Sequence, residues 1–153
     1  MVEIVLPNDA NTLGNALGGR VLHWIDLAAA IAAHRHCRSE TVTVSLDQMS
    51  FLAPIRVGQA AVIHARMTQA WHTSMEIRVD VQCEDLLTGE RNETSTAYLT
   101  FVAINSKGRP NAVPPLRLET EAERREARAA DARREARLRG RAPHTPKREK
   151  KSG

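Results

Sequence analysis

Cysteine is nearly absent from this 153-residue chain, which holds only Cys37 and Cys83. Two thiols could form one bridge, but they give no disulfide framework of the kind small secreted domains depend on. Long apolar runs are missing too. The longest, Leu27 to Ala33, falls far short of the ~20 residues a membrane-spanning helix needs, so no membrane partner is expected. The opening stretch, "MVEIVLPNDAN", has an acid at position 3 and no apolar block, so no signal peptide is expected and the cytoplasm is the expected compartment. No phosphate-binding glycine loop, dinucleotide fingerprint or serine nucleophile elbow occurs, and no cluster spaced to ligate a metal. The sequence therefore calls for neither a metal nor a cofactor.

Basic charge is also missing from most of the chain, although the total is +4. Residues 1–118 carry a net −1, and the excess belongs to residues 119–153, which carry +5. With a near-neutral body, nucleic acid is not expected as a partner.

What is present reads as one domain over 1–118, a charged helix over 119–139 and a basic tail over 140–153. "VEIVL" at 2–6 suggests a short strand stopped by Pro7, and "PNDANTLGN" a loop rich in turn formers. Gly18-Gly19 opens an alanine-rich helix that runs to about His36, with apolar residues around most of its circumference. Strands follow: Glu40 to Asp47, a broken or looped stretch over Met49 to Gln59, a second strand from Ala60, and "SMEIRVDVQCED". In that last segment Met75, Ile77, Val79, Val81 and Cys83 alternate with Glu76, Arg78, Asp80, Gln82 and Glu84, which predicts one core face and one wet face. A hairpin turn at Thr88-Gly89 leads to the strand "ETSTAYLTFVAIN".

This order predicts an antiparallel sheet packed on one long helix, an α+β architecture. One sheet covers one side of a helix, so the remaining apolar face calls for at least a dimer. Past the domain, Thr120 and Glu123 have capping-box spacing, and Glu121–Arg125 and Glu135–Arg139 have the favourable order for ion pairs. With only alanine as an apolar stripe, residues 119–139 read as an exposed or loosely docked helix. Residues 140–153 read as disordered.

Candidate chemistry is sparse. The six histidines are scattered; His34 and His36 stand two apart and so point to different sides of a helix. Cys37 reads as a small packed residue at the helix end. Asp26 stands out as a carboxylate in the middle of an apolar helix, where an unpaired charge is expensive unless it is held or used. It is either tied to His23 or a strand amide, or it is a general base or nucleophile. Gly18 and Gly19 leave backbone N–H groups at the helix start uncovered by side chains, an arrangement that can polarise a carbonyl oxygen. Asn11 lies in the loop just before.

The stretch "LPNDANTLGNALGGRVLHWIDLAAAIAAHRHC" resembles the acyl-coenzyme A thioesterases of the hotdog superfamily, in the branch of the brain-type cytosolic enzymes and small bacterial relatives. "VSLDQMSFLAPIRVGQ", "HTSMEIRVDVQCEDLLTGE" and "AYLTFVAINSKGRPNAVPPL" continue the resemblance, which covers residues 2 to about 139. It implies a hotdog fold, a long central helix wrapped by an antiparallel sheet, and hydrolysis of acyl-CoA to free acid and CoA without a bound cofactor. It implies that Asn11 and Asp26 are catalytic and come from opposite subunits; in such an enzyme the bare Gly18 and Gly19 amides would stabilise the oxyanion. It also implies a homo-oligomer of dimers, commonly a hexamer. The alternative is a hotdog protein that binds acyl-CoA as a sensor without catalysis.

Overall fold

Period-2 patterning and an alanine-rich segment dictate which parts of this chain become strand and which helix. The computed structural model describes residues 1–141, the side chain of Gln48 excepted. The strands are β1 (Val2–Ile4), β2 (Glu40–Phe51), β3 (Ala60–Ala70), β4 (Ser74–Glu84) and β5 (Arg91–Ile104), and the helices are α1 (Gly18–Cys37) and α2 (Glu121–Arg139). The five strands form one antiparallel sheet in the order β1-β3-β4-β5-β2. The disorder expected for 140–153 concerns residues that, Gly140 and Arg141 apart, lie outside those described.

α1 lies on the inner face of the sheet. Its buried stripe of Val21, Trp24, Ile25, Ala28, Ala29 and Ala33 meets Met75, Ile77, Val79, Leu99 and Phe101, which carry the alternating apolar positions of β4 and β5. Burying side chains as large as Ile25 and Phe101 stabilises the fold by roughly 1.5–3 kcal/mol each. The helix ends where Arg38 takes a left-handed conformation (φ 52°, ψ 36°) and its N–H bonds to His34 O at 2.8 Å. Arg20, His23, Asp26, Leu27 and Ile31 remain exposed in the single chain. α1 is thus less enclosed by its own chain than its composition suggests.

β2 runs further than its sequence pattern suggests, because β5 continues to pair with it. Its ladder against β5 shifts register twice, between Thr43 and Ser45 and between Asp47 and Ser50. Each shift is a bulge in β2 that lets the strand continue with an extra residue. It ends at Phe51, opposite Ser95, just before the chain reaches Pro54.

Two expectations fail together on the outer face. The wet face predicted for β4 is not wet at Glu76, which has no exposed surface. The helix expected to be exposed or loosely docked, α2, covers it. Arg133 Nε and Nη2 donate to Glu76 Oε2 and Oε1 at 3.0 and 2.7 Å, and Thr68 Oγ1 donates to Glu76 Oε1 at 2.6 Å. The Arg133 guanidinium also sits 3.8 Å from the Tyr98 ring centroid. Arg66 and Arg78 both donate to Glu126 Oε1, and Trp71 Nε1 donates to Asp131 Oδ1 at 2.9 Å. Only Ala127 and Ala130 of α2 are buried, so the docking is polar and leaves no apolar periodicity to read.

The capping box forms as predicted: Glu123 N–H donates to Thr120 Oγ1, and Thr120 N–H to Glu123 Oε2, both at 3.1 Å. The N–H groups of Glu119 and Thr120 hold the Glu123 carboxyl below the usual glutamate range. Its capping contribution is therefore complete above the ordinary glutamate pKa and is lost as pH falls through the lowered one. Glu121 pairs with Arg124 at 3.2 Å and Arg128 at 3.0 Å, where Arg125 was expected.

Candidate active site

The loop before α1 is built around Asn11 and Asp9. Asn11 Oδ1 accepts N–H groups of Leu13 (3.0 Å) and Asn15 (3.2 Å), and Asn11 N–H donates to Asn15 O at 2.8 Å. The turn closes through Gly14, whose φ of +77° a residue with a side chain adopts only under strain. These bonds use the Asn11 oxygen and leave its NH2 without a partner among the described residues. Asp9 ties the loop to the helix: Leu17 N–H donates to Asp9 O at 2.7 Å, and Arg20 pairs with the Asp9 carboxylate at 2.9 Å.

α1 then starts without a side-chain cap. Leu17 is the N-cap residue and accepts from Arg20 and Val21 N–H. The N–H groups of Gly18 and Gly19 have no partner among the described residues. A Cβ on Gly18 would meet the Phe51 ring at 3.5 Å, an ordinary contact, and one on Gly19 would meet nothing within 4 Å. Neither glycine is demanded by crowding within one chain. Together they keep the positive end of the helix bare.

Asn11 and Gly18 line one cavity of about 330 Å³, with Val21, Phe51, Leu52 and Ile55. Asp26 does not line it. Eight residues along α1 from Gly18, it lies about 12 Å away down the axis at 1.5 Å per residue. Its partner is neither His23 nor a strand amide, as the sequence suggested, but a strand hydroxyl: Thr43 Oγ1 donates to Asp26 Oδ1 at 2.7 Å. The structure thus brings Asn11 to Gly18, and separately Asp26 to Thr43. Nothing in the sequence marks Thr43, because a threonine in a strand carries no signal beyond β propensity.

The other candidates resolve into structural roles. His34 Nδ1 lies 2.8 Å from Ala30 O and His36 Nε2 lies 2.8 Å from Pro114 O. Cys37 and Cys83 are free thiols, and Cys37 Sγ contacts Ser39 O at 3.6 Å. Among the described residues there is no group of side chains that could hold a metal ion, and no helix long and apolar enough to cross a membrane.

The thioesterase superfamily model matches residues 13–90, which include the end of the Asn11 loop, all of α1 and strands β2 to β4. The chain belongs to the thioesterase superfamily. Its antiparallel sheet curled on a long helix is the hotdog fold. The chain is similar to an uncharacterized acyl-CoA thioester hydrolase of Bacillus subtilis, 44% identical over 119 residues, covering 78% of this chain and 69% of that one. It is 36% identical to the acetyl-coenzyme A thioesterase of Rattus norvegicus over 90% of its own length but only 25% of that larger protein.

Among solved structures, a hexameric acyl-CoA thioesterase superposes with a TM-score of 0.86 at 41% identity, covering 91% of this chain and 89% of that one. An acyl-CoA hydrolase from Staphylococcus aureus, seen with butyryl-CoA, CoA and CoA disulfide, superposes at 0.83 with 32% identity, over 91% of this thioesterase-superfamily chain and 85% of its own. Variants of that hydrolase replace an asparagine, an aspartate fifteen residues later and a threonine seventeen residues beyond that with alanine. Asn11, Asp26 and Thr43 stand at the same two spacings.

Proposed function

We propose that this chain hydrolyses acyl-CoA to free carboxylic acid and CoA, at a site made by two copies of itself. Asn11 and the Gly18 and Gly19 amides come from one subunit, and Asp26 with Thr43 from the other. The observation that carries the shared site is the division just described. Asn11 and Gly18 share a cavity from which Asp26, over two helical turns away, is absent. A partner's loop can reach where the chain's own loop does not. The exposed apolar residues Leu27 and Ile31 on α1, and Val42 on the unpaired edge of β2, supply a surface for such a partner to cover.

In this reading the thioester carbonyl oxygen accepts from the bare amides at the start of α1, which stabilise the negative charge of the tetrahedral intermediate. Asp26 either takes a proton from the water that attacks the carbonyl carbon or attacks that carbon itself. Collapse breaks the C–S bond, and the CoA sulfur leaves with the proton that Asp26 took from water. Where Asp26 itself attacks, the acyl group stays on its carboxylate as a mixed anhydride, which water then cleaves to the free acid, restoring the carboxylate and supplying the proton to the CoA sulfur. Asn11 orients the water or substrate. The Thr43 hydroxyl holds one carboxylate oxygen and leaves the other free to react. Such dimers would assemble into a hexamer, as in the hexameric relative, and work in the cytoplasm, as the name of a mouse relative, a cytosolic acyl-CoA hydrolase, suggests.

Release of free thiol from acetyl- to palmitoyl-CoA tests the activity. Subunit mixing tests the shared site. Asn11→Ala and Asp26→Ala are each expected to be inactive alone, and exchange between them should restore about a quarter of the wild-type sites by counting over a symmetric dimer. No recovery despite demonstrated exchange would place the whole site within one subunit.

A further inference from the structure

We infer that Arg137, at the far end of α2, is a positioning residue for the Asp26 carboxylate: through Asp47 it fixes the bulge in β2 that turns Thr43 toward α1. The inference rests on the catalytic reading of Asp26 given above and extends it to a helix on the opposite face of the sheet.

Strand parity supplies the argument. Thr43 lies opposite Phe101, a core residue, and its hydroxyl reaches Asp26 on the inner face. Asp47 lies opposite Tyr98 and pairs on the outer face with Arg137 Nη1 at 2.8 Å. In a regular strand residues four apart point the same way. Thr43 and Asp47 point to opposite faces because the register shift between Thr43 and Ser45 inserts one extra residue. A second shift follows directly after Asp47, so only Ser45, Leu46 and Asp47 hold the ladder in step between the two.

So short a regular stretch specifies its own register weakly, and a slip of one residue exchanges the two faces. Such a slip would turn Asp47 inward toward the side of Leu99 and Ala97, and would let Thr43 rotate away from Asp26. The pair with Arg137 opposes it. Its side chains are 14% and 25% exposed, so it is held more firmly than a surface ion pair. Arg133, one turn earlier, lies over Tyr98, the residue opposite Asp47, and keeps α2 seated above this part of the strand.

The test uses steady-state kinetics of the full chain carrying Arg137→Met, Arg137→Lys, Asp47→Asn, Thr43→Val, and Thr43→Val combined with Arg137→Met. Arg137→Met and Asp47→Asn are expected to lower kcat roughly three- to thirtyfold with KM within about twofold, the span expected for a coupled site that does not touch the ligand. Arg137→Lys is expected to recover most of the loss. On a Thr43→Val background, Arg137→Met should cost nothing further, because both act through one contact. Thermal melts of each variant separate this from simple unfolding.

Unchanged kcat in Arg137→Met, losses that multiply in the double variant, or a loss that follows Tm and is shared by KM would each overturn the inference. An unaffected Thr43→Val would overturn it as well, since the route would be missing. Full activity in Asp26→Asn would instead overturn the catalytic reading. The two failures are therefore distinguishable.

Discussion

Asp26→Asn is expected to lower kcat for acyl-CoA hydrolysis by at least about a hundredfold, the lower end of what a positioned general base contributes. The substitution keeps the shape of the side chain and an oxygen able to accept from Thr43 Oγ1, the partner at 2.7 Å. What it removes is the charge that, in the proposed mechanism, activates water or attacks the thioester. Asp26 is exposed in the single chain and is not part of the buried stripe of α1, so the melting temperature should move by no more than about 2 °C, the shift of a change below 1 kcal/mol in a protein of this size. Activity within threefold of the unsubstituted protein would make the carboxylate structural. A large fall in Tm would show that Thr43 and Asp26 serve to bind β2 to α1.

The largest effect on stability is expected on the other side of the sheet. Arg133→Met leaves the Glu76 carboxylate, which has no exposed surface, with Thr68 Oγ1 as its remaining side-chain donor. Breaking a buried pair from one side costs about 3–5 kcal/mol. Arg133 is itself 26% exposed, which argues for the lower figure. About 3 kcal/mol corresponds to a fall in Tm of roughly 6–12 °C. Pairing it with Glu76→Met should restore much of the loss, because replacing both partners removes the stranded charge. A single variant that melts within about 2 °C of the parent would mean that Glu76 finds water or another donor when Arg133 is gone.

Legibility in the sequence followed the kind of contact involved. β4 was plain because Met75 to Cys83 alternate without a break and one face of that strand is core. α1 was plain because alanine and the apolar stripe agree. The course of β2 is legible only to Asp47, since the bulge between Asp47 and Ser50 breaks the period that marks a strand. The capping box marks α2 as a helix, yet nothing in its sequence marks where it attaches. Alternation assigns a polar residue such as Glu76 to solvent, and only the folded chain brings Arg133 over it from 57 residues away. In the candidate site, Gly18, Gly19 and Asp26 sit oddly in their local context, whereas Asn11 is an ordinary residue of a turn-rich loop that only the family resemblance singles out. Thr43 sits normally in a strand, and only its hydroxyl on Asp26 marks it.

The way α2 is fastened also bears on how the molecule breathes. Few apolar side chains hold it, whereas α1 is embedded in the core. Units of this kind open on their own, with a free energy below that of global unfolding. Amide protons of α2 are then expected to exchange in an event that leaves the protons of α1 and β4 protected. The two helices, similar in length and on opposite faces of one sheet, would then belong to different tiers of motion.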